Sequence, residues 1–497
     1  MLKPDSKHRV LLFPIHATSW PTMEKLAVAL KEQGEFEPVV LLTAKIADKK
    51  QICRQHHVCC EVLGVLEPAA HFTESTDVEG VDKKQDHTSP VRTSKMFVAR
   101  VFKYSYETLK DFFIFIEKKT NKRVYSLTLY HLLKCCIEVI YYKLYYKKID
   151  DLLGRINPQA VFVSQDASGG VLACFIRECQ KRKIKIIVAN VAYQHADMPA
   201  KTRSAMGSLC LKNPVSAPWI NYIIYLFLPN QFYRYNNRRT MFYQAYEVLA
   251  LKLFGALPPF PWVVGHNHSD IVCVENHYLK DRLISKGVNP AKVVVTGHVD
   301  VDEIWQQKSR ISREEFFKSY GFDLNKKLFV VALPQLIEHG YVTSWEETYT
   351  EIEYLVRICS DTGMNVLLAL HPKMDVKNYI FLENKYHCKI NKSPKTSHAL
   401  PYADLFASNG SSTAFWAHVC GAVVINFDFY GFSLESFGYL KSFITVYSKP
   451  EFEKTMHSLT HDPEYFLRSL TTTQEEVPRF SLPLDGKNTE RCLALLG

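Results

Sequence analysis

Two spacings of apolar residues alternate along this chain, short unbroken runs and patterns with a period near 3.6. Val10 to Phe13 is the first run, Met23, Leu26, Ala27 and Leu30 recur at helical spacing within Thr22 to Gln33, and Phe36 to Leu42 is a second run. This order predicts a parallel sheet covered by helices, because strands buried on both faces read as continuous apolar stretches. The rhythm resumes with strand Ala160 to Ser164, the turn Gln165-Asp166-Ala167-Ser168-Gly169-Gly170, a helix to Lys181 and strand Lys185 to Val191. It is cleanest in the second half. There the pattern predicts strand Ile271 to Glu275, helix Asn276 to Lys286, strands Val293 to Thr296 and Leu328 to Leu333, helix Trp345 to Thr362, and strands Asn365 to Leu370 and Val423 to Phe427. The fold class is therefore α/β, with two doubly wound Rossmann-like domains facing across a cleft.

Three segments break the rhythm. His71 to Ser94 is rich in Asp, Glu, Ser, Thr and Lys and reads as a loop, whereas Lys95 to Lys148 and Pro218 to Phe260 are loaded with Phe, Tyr, Lys and Arg. The two aromatic segments read as helical insertions, at about 95–150 and 215–260, in an N-terminal domain of residues 1–265. Residues 266–497 then form the second domain, after the stop at Pro258-Pro259-Phe260-Pro261.

A length of 497 residues supplies two substantial cores. The formal charge of +10 and the aromatic share of 13% suit an anionic ligand or a membrane surface. Nucleic acid is disfavoured, since there is no Cys/His finger spacing and the basic residues are interleaved with large apolar ones. Thirteen cysteines, an odd number scattered through strands and helices, indicate a reducing compartment. The N-terminal residues lack a signal-peptide pattern, and the longest apolar tract, Trp219 to Leu228, is well short of the roughly 20 residues that span a bilayer. The expected location is the cytoplasm. Two readings of the aromatic insertions stay open: helices packing inward, or an interfacial surface at the cytoplasmic face of a membrane, with Trp and Tyr at headgroup level and Lys or Arg meeting anionic lipid.

The chemistry concentrates between Leu367 and Phe427. Leu370-His371-Pro372 ends one apolar strand, and Ser408-Asn409-Gly410-Ser411-Ser412-Thr413 precedes a helix read from Ala414. The serine loop offers hydroxyls, a glycine and helix-start N–H groups, a seat for a phosphate. His371 can donate to a phosphate oxygen or protonate a leaving group, with Lys373 as a further cation. Gln335, Glu338 and His339 follow strand Leu328 to Leu333 at the expected cleft edge. Candidate general bases at strand ends of the N-terminal domain are His16, Asp166 and His195, with Asp197 nearby. Asp166 is preferred, because it follows a buried strand at a position that points into the cleft. Asp300-Val301-Asp302 has the letters of a metal motif but sits at a loop after Thr296-Gly297, so a structural role and no obligatory metal are expected.

These residues carry a resemblance. Ser269 to Val274, Leu283 to Val288, Lys292 to Gly297 and Asp300 look like the opening of the C-terminal domain of GT-B nucleotide-sugar enzymes. Leu370-His371-Pro372, Tyr402-Ala403-Asp404 and Ser408 to Thr413 are similar in order and spacing to the hydrolysing UDP-N-acetylglucosamine 2-epimerases, the CDP-glycerol phosphotransferases and the bacterial polysialyltransferase type of capsule enzyme. The resemblance implies a GT-B fold and a nucleotide-sugar substrate with no separate cofactor. Nucleotide or phosphate contact is expected at Gly297, Gln335, His339, His371, Pro372, Lys373, Ser408, Gly410, Ser411, Ser412 and Thr413. One departure separates the alternatives: the epimerases carry an acidic pair after the glycine-rich loop, where this chain has Ser412-Thr413-Ala414-Phe415-Trp416. The expectation is thus a glycosyltransferase moving a sugar from a CMP- or UDP-activated donor to a surface glycan or glycolipid precursor. The 2-epimerase, a CDP-alcohol phosphotransferase and a non-catalytic membrane-associated scaffold are the alternatives.

Overall fold

The computed structural model describes residues 8–15, 19–63, 128–189, 196–211, 219–337, 342–371, 374–393, 395–430 and 437–497. His16, His195, Glu338, His339, Pro372 and Lys373, together with the expected loop at His71 to Ser94 and residues 95–127, lie outside them.

The strands in chain order are β1 (His8–Phe13), β2 (Phe36–Leu42), β3 (Cys59–Val62), β4 (Ala160–Val163), β5 (Lys185–Val188), β6 (Phe232–Tyr235), β7 (Arg238–Met241), β8 (Ile271–Val274) and β9 (Val293–Val295). They continue with β10 (Leu328–Ala332), β11 (Asn365–Ala369), β12 (Cys388–Ile390), β13 (Leu405–Ser408), β14 (Val423–Phe427) and β15 (Phe443–Val446). Seven form one parallel sheet in the order β3-β2-β1-β4-β5-β8-β9, and six form another in the order β12-β11-β10-β13-β14-β15.

Both sheets are covered on both faces, which is why their strands read as unbroken apolar runs. Leu11, Phe13, Val161 and Val163 pack with Phe175 and Ile176 of helix Gly170–Lys181 on one side of the first sheet. Val10, Leu12 and Phe162 pack with Met23, Leu26 and Leu30 of helix Trp20–Gln33 on the other. That helix stops at Gly34, whose left-handed φ of 75° lets its N–H return to Leu30 O. In the second sheet Phe329, Val331 and Leu368 face Ile352, Leu355 and Val356 of helix Trp345–Ser360, and Val330, Leu367 and Phe406 face Phe316 and Phe317. Each fully buried side chain of this size contributes about 1.5–3 kcal/mol of transfer free energy.

Two expectations need correction. The strands Ile271–Val274 and Val293–Val295 extend the first sheet, so the seam between sheets lies between Val295 and Leu328, later than the junction expected at 265. The C-terminal helix Asn488–Leu493 also returns to the first unit: Cys492 and Leu493 pack with Val10 and Phe162, and Lys185 Nζ donates to Leu495 O at 2.6 Å. The pattern could not place these pieces, because a parallel strand's partner is set by tertiary packing rather than by chain position. The insertion near 215–260 is not wholly helical either. It holds helices Trp219–Phe227 and Ala245–Leu253 around a β6–β7 hairpin, whose turn residues Asn236 and Asn237 take left-handed φ values of 41° and 60°. Adjacent asparagines between aromatic and β-branched residues are the sequence signal for such a turn. The 95–150 insertion contains helix Thr128–Ile156 among its described residues. No helix of the described residues is long and apolar enough to cross a membrane.

Candidate functional site

Strand order reverses at one point in each sheet. In the second, the chain runs outward from β10 to β11 and β12, then returns so that β13 lies on the other side of β10. Open α/β sheets bind ligands in the crevice beyond the carboxyl ends of the strands at such a switch point. Val331 pairs with Ala407, so β10 and β13 leave the sheet side by side, into Leu333-Pro334-Gln335 and Ser408-Asn409-Gly410.

The crevice retains hydrogen-bonding groups that the rest of the described protein does not use. Ser408 is fully buried and its Oγ has no partner, the buried Gln335 Nε2 has none, and neither amide atom of Asn409 has one. Other groups in the loop are committed. Gly410 N donates to Asn426 Oδ1 at 2.9 Å, Ser411 Oγ and Thr413 Oγ1 lie 2.6 Å apart, and Thr413 N donates to Ser411 Oγ at 3.3 Å. Ser412 is exposed and begins helix Thr413–Val419 without a side-chain cap. The loop's internal bonds hold it against β14, while Ser408, Asn409 and Gln335 supply the uncommitted donors and acceptors. His371 follows β11, one strand away, as an exposed residue whose N–H points to Met374 Sδ at 3.4 Å.

The first sheet's switch point, between β1 and β4, is built differently. Asp166 is buried, and its carboxylate accepts from Gly265 N at 3.0 and 3.2 Å, Ser269 Oγ at 2.6 Å and Asn267 Nδ2 at 3.4 Å. The expectation that it points into the cleft as a base is therefore corrected: it clamps the 265–269 loop to the end of β4. Gly297 is likewise closed off, since a Cβ there would collide with the Asn488 carboxamide, which also donates to His298 O. The Cβ direction at Gly297 is thus occupied by protein. Asp300 and Asp302 bond within the protein. Lys25 Nζ donates to Asp300 at 2.6 Å, and Asp302 accepts from the backbone N–H groups of Asn488 and Thr489.

Residues that the sequence reading passed over join the two units. Glu275, the first residue beyond β8, accepts from Trp416 Nε1 at 2.9 Å, and the Trp416 ring lies 5.0 Å from that of His298. Burial pushes the Glu275 carboxyl up, and nearby Asp300 adds to this, while His298 and the Trp416 bond oppose it. Tyr278 stacks on Tyr439 with centroids 3.5 Å apart. Glu303 accepts from Lys25 at 2.8 Å, Lys395 at 2.7 Å and His398 at 2.8 Å. Burial alone would raise its carboxyl, but those three donors hold it far below the carboxylate range. Trp416 sits three residues after Thr413, so the bond to Glu275 brings the strand end of one sheet to the helix that follows the crevice loop of the other.

A seven-stranded and a six-stranded parallel sheet, with strand ends of one joined to the crevice helix of the other, define a GT-B fold. Solved structures overlay on nearly the whole chain. A Listeria monocytogenes protein provisionally named a UDP-N-acetylglucosamine 2-epimerase gives a TM-score of 0.52 at 11% identity, with 99% of this chain and 96% of that one covered. A UDP-GlcNAc 2-epimerase from Neisseria meningitidis, solved bound to UDP-GlcNAc, gives 0.50 at 10% identity, covering 99% of each chain. At these identities the likeness establishes the fold. No protein-family model matches the chain, and no curated protein matches it in sequence.

Proposed function

We propose that this chain is a glycosyltransferase that takes a sugar from a CMP- or UDP-activated donor held at the β10/β13 crevice and passes it to a hydroxyl of a glycan or glycolipid precursor. The observation that carries this reading is the set of buried, unpartnered groups at that crevice: Gln335 Nε2, Ser408 Oγ and the Asn409 amide. Buried polar groups ordinarily find partners, and here they sit where this kind of sheet receives ligands. In the transfer the bond from the anomeric carbon to the phosphate oxygen breaks, the acceptor oxygen bonds to that carbon, and the acceptor's proton passes to a base. Donors fixed at the crevice stabilise the charge that grows on the departing phosphate. Glu275 is the candidate base, a carboxyl at a strand end between the units whose affinity for a proton is raised by burial.

The overlaid epimerases, one of them bound to UDP-GlcNAc, favour a second reading, a 2-epimerase that needs no acceptor. Against it stands the absence of a carboxylate between Ser412 and Trp416. The deciding experiment incubates the protein with UDP-GlcNAc alone in deuterated water, and separately measures nucleotide release from CMP- and UDP-sugars with and without acceptor glycans. Acceptor-dependent release supports the transferase. Deuterium incorporation at C2 without acceptor overturns it in favour of the epimerase.

A further inference from the structure

The nine-residue helix Trp219–Phe227 carries no charge, and Asn221 is its one side chain that is neither aliphatic nor aromatic. Its inner side is accounted for: Ile220 and Ile224 pack with Phe232, Met241 and Val248, and Asn221 Nδ2 donates to Ser208 O at 2.8 Å and Cys210 O at 3.1 Å. No described residue covers its outer side. Trp219 is 82% exposed, Phe227 79% and Leu226 62%, with Tyr222 and Ile223 each about half exposed between them. Positions 219, 222, 223, 226 and 227 fall on one arc of the helix, so the five side chains form a single stripe. A stripe of this kind on a soluble surface marks a contact.

Charge identifies the occupant. From Met198 to Tyr246 the chain contains no Asp or Glu, while Lys201, Arg203, Lys212, Arg234, Arg238 and Arg239 supply six cations. Arg234, Arg238 and Arg239 are exposed on the β6–β7 hairpin, and Arg239 lies over the ring of Tyr225 at 4.9 Å, which ties the hairpin's cations to the helix. The Tyr225 and Phe232 rings, 5.2 Å apart edge to face, fix the two elements together. We propose that the outer face of helix Trp219–Phe227 and the arginines of the β6–β7 hairpin dock on an anionic membrane surface. The helix is too short to span a bilayer and has the aromatic and aliphatic side chains that lie at the headgroup boundary. The arginines meet anionic headgroups at the same level.

The insertion is anchored at the first sheet's strand ends. Tyr243 donates its hydroxyl to Ala167 O in the loop after β4, so the docking face belongs to the element bordering that loop. The inference stands apart from the reaction proposed above, because it concerns where the protein sits and not what it converts. The test is co-sedimentation of the full chain with phosphatidylcholine vesicles and with vesicles of phosphatidylcholine and phosphatidylglycerol at 7:3. Binding to the anionic vesicles, weakened by salt, is expected, together with at least about a ten-fold loss of partitioning in L226S/F227S and in R238E/R239E. Both variants change exposed residues, and an unaltered melting temperature shows that each remains folded; if one fails to fold, the other decides. Absence of binding to anionic vesicles, or binding unchanged in the folded variants, overturns the proposal. So does a concentration-dependent dimer that L226S/F227S abolishes, which would assign the face to a second copy of the chain.

Discussion

The two switch points occupy equivalent places in their sheets and are built to opposite ends. At β1/β4 the strand-end carboxylate of Asp166 is saturated by Gly265, Asn267 and Ser269, and the adjoining turn is filled, since a Cβ on Gly169 would collide with Glu247 and Tyr243. At β10/β13 the strand-end hydroxyl of Ser408 and its neighbours Asn409 and Gln335 keep hydrogen-bonding capacity that the described protein does not satisfy. Position in the fold makes both places eligible for ligand. Ser164 Oγ at the end of β4 is also buried without a partner, so the contrast rests on the saturated Asp166 carboxylate on one side and the three-residue cluster of Ser408, Asn409 and Gln335 on the other.

The largest expected effect comes from breaking the clamp. Asp166→Ala leaves the Gly265 N–H and the Ser269 hydroxyl buried without their acceptor and takes one of two acceptors from Asn267 Nδ2, and each orphaned donor costs about 1–3 kcal/mol. A total destabilisation of about 3–5 kcal/mol is expected in denaturant unfolding of the first unit. An unfolding midpoint within error of the parent would mean that Asp166 is not a clamp.

Glu247 tests the same region through pH. Burial, with Glu138 next in importance, pushes its carboxyl up to about 8, against Arg203 and Lys134; Glu138 itself is pushed up to about 7 by burial, opposed by Lys134. Between the ordinary glutamate value and about 8 the unfolded chain releases this proton while the folded chain keeps it. Stability therefore falls as pH rises through that window. Glu247→Gln removes the titration, so the variant should match the parent near pH 5 and exceed it by about 2–3 kcal/mol near pH 8. Parallel stability curves across that range would show that Glu247 ionises freely in the folded protein.

Ser408→Ala probes the receptive side and should behave in the opposite way to Asp166→Ala. Removing a buried hydroxyl that has no partner costs nothing in stability or gains slightly, so the melting temperature should hold or rise. Nucleotide affinity should fall about ten- to a hundred-fold by calorimetry, the worth of a hydrogen bond to a charged phosphate. Lost stability with unchanged affinity would place Ser408 among the structural groups, beside Asp166.

How much of this contrast was legible in the sequence follows from what each feature depends on. Val423–Phe427 and Phe36–Leu42 were readable to the residue because a strand buried on both faces writes its burial as an unbroken run. Cys59–Val62 was not, since it is a four-residue edge strand of mixed polarity. The serine loop was legible as a strand-to-helix turn, but not which of its groups are taken: Ser411 and Thr413 bond to each other, and Asn426, in the next strand, holds Gly410. Asp166 was misread for a related reason. A strand-end position indicates where the backbone goes, whereas the partners that turn the carboxylate inward lie 99 to 103 residues further along the chain.

The smallest expected effect concerns the joint between the two regions. Trp416 belongs to the helix after the crevice loop and Glu275 to the end of β8, so their bond at 2.9 Å couples a residue beside the receptive switch point to the first sheet. Trp416→Phe keeps most of the aromatic packing and removes the indole N–H, which costs about 1 kcal/mol. That N–H lowers the affinity of Glu275 for its proton against the raising effect of burial, so its loss moves the carboxyl further up. If Glu275 serves as the base it must be ionised, and the acid limb of the activity profile should shift to higher pH in Trp416→Phe while the alkaline limb stays in place. An acid limb that does not move would leave Glu275 as a structural partner of Trp416. The first unit would then be reduced to clamp and joint, and the base for transfer would have to be sought elsewhere.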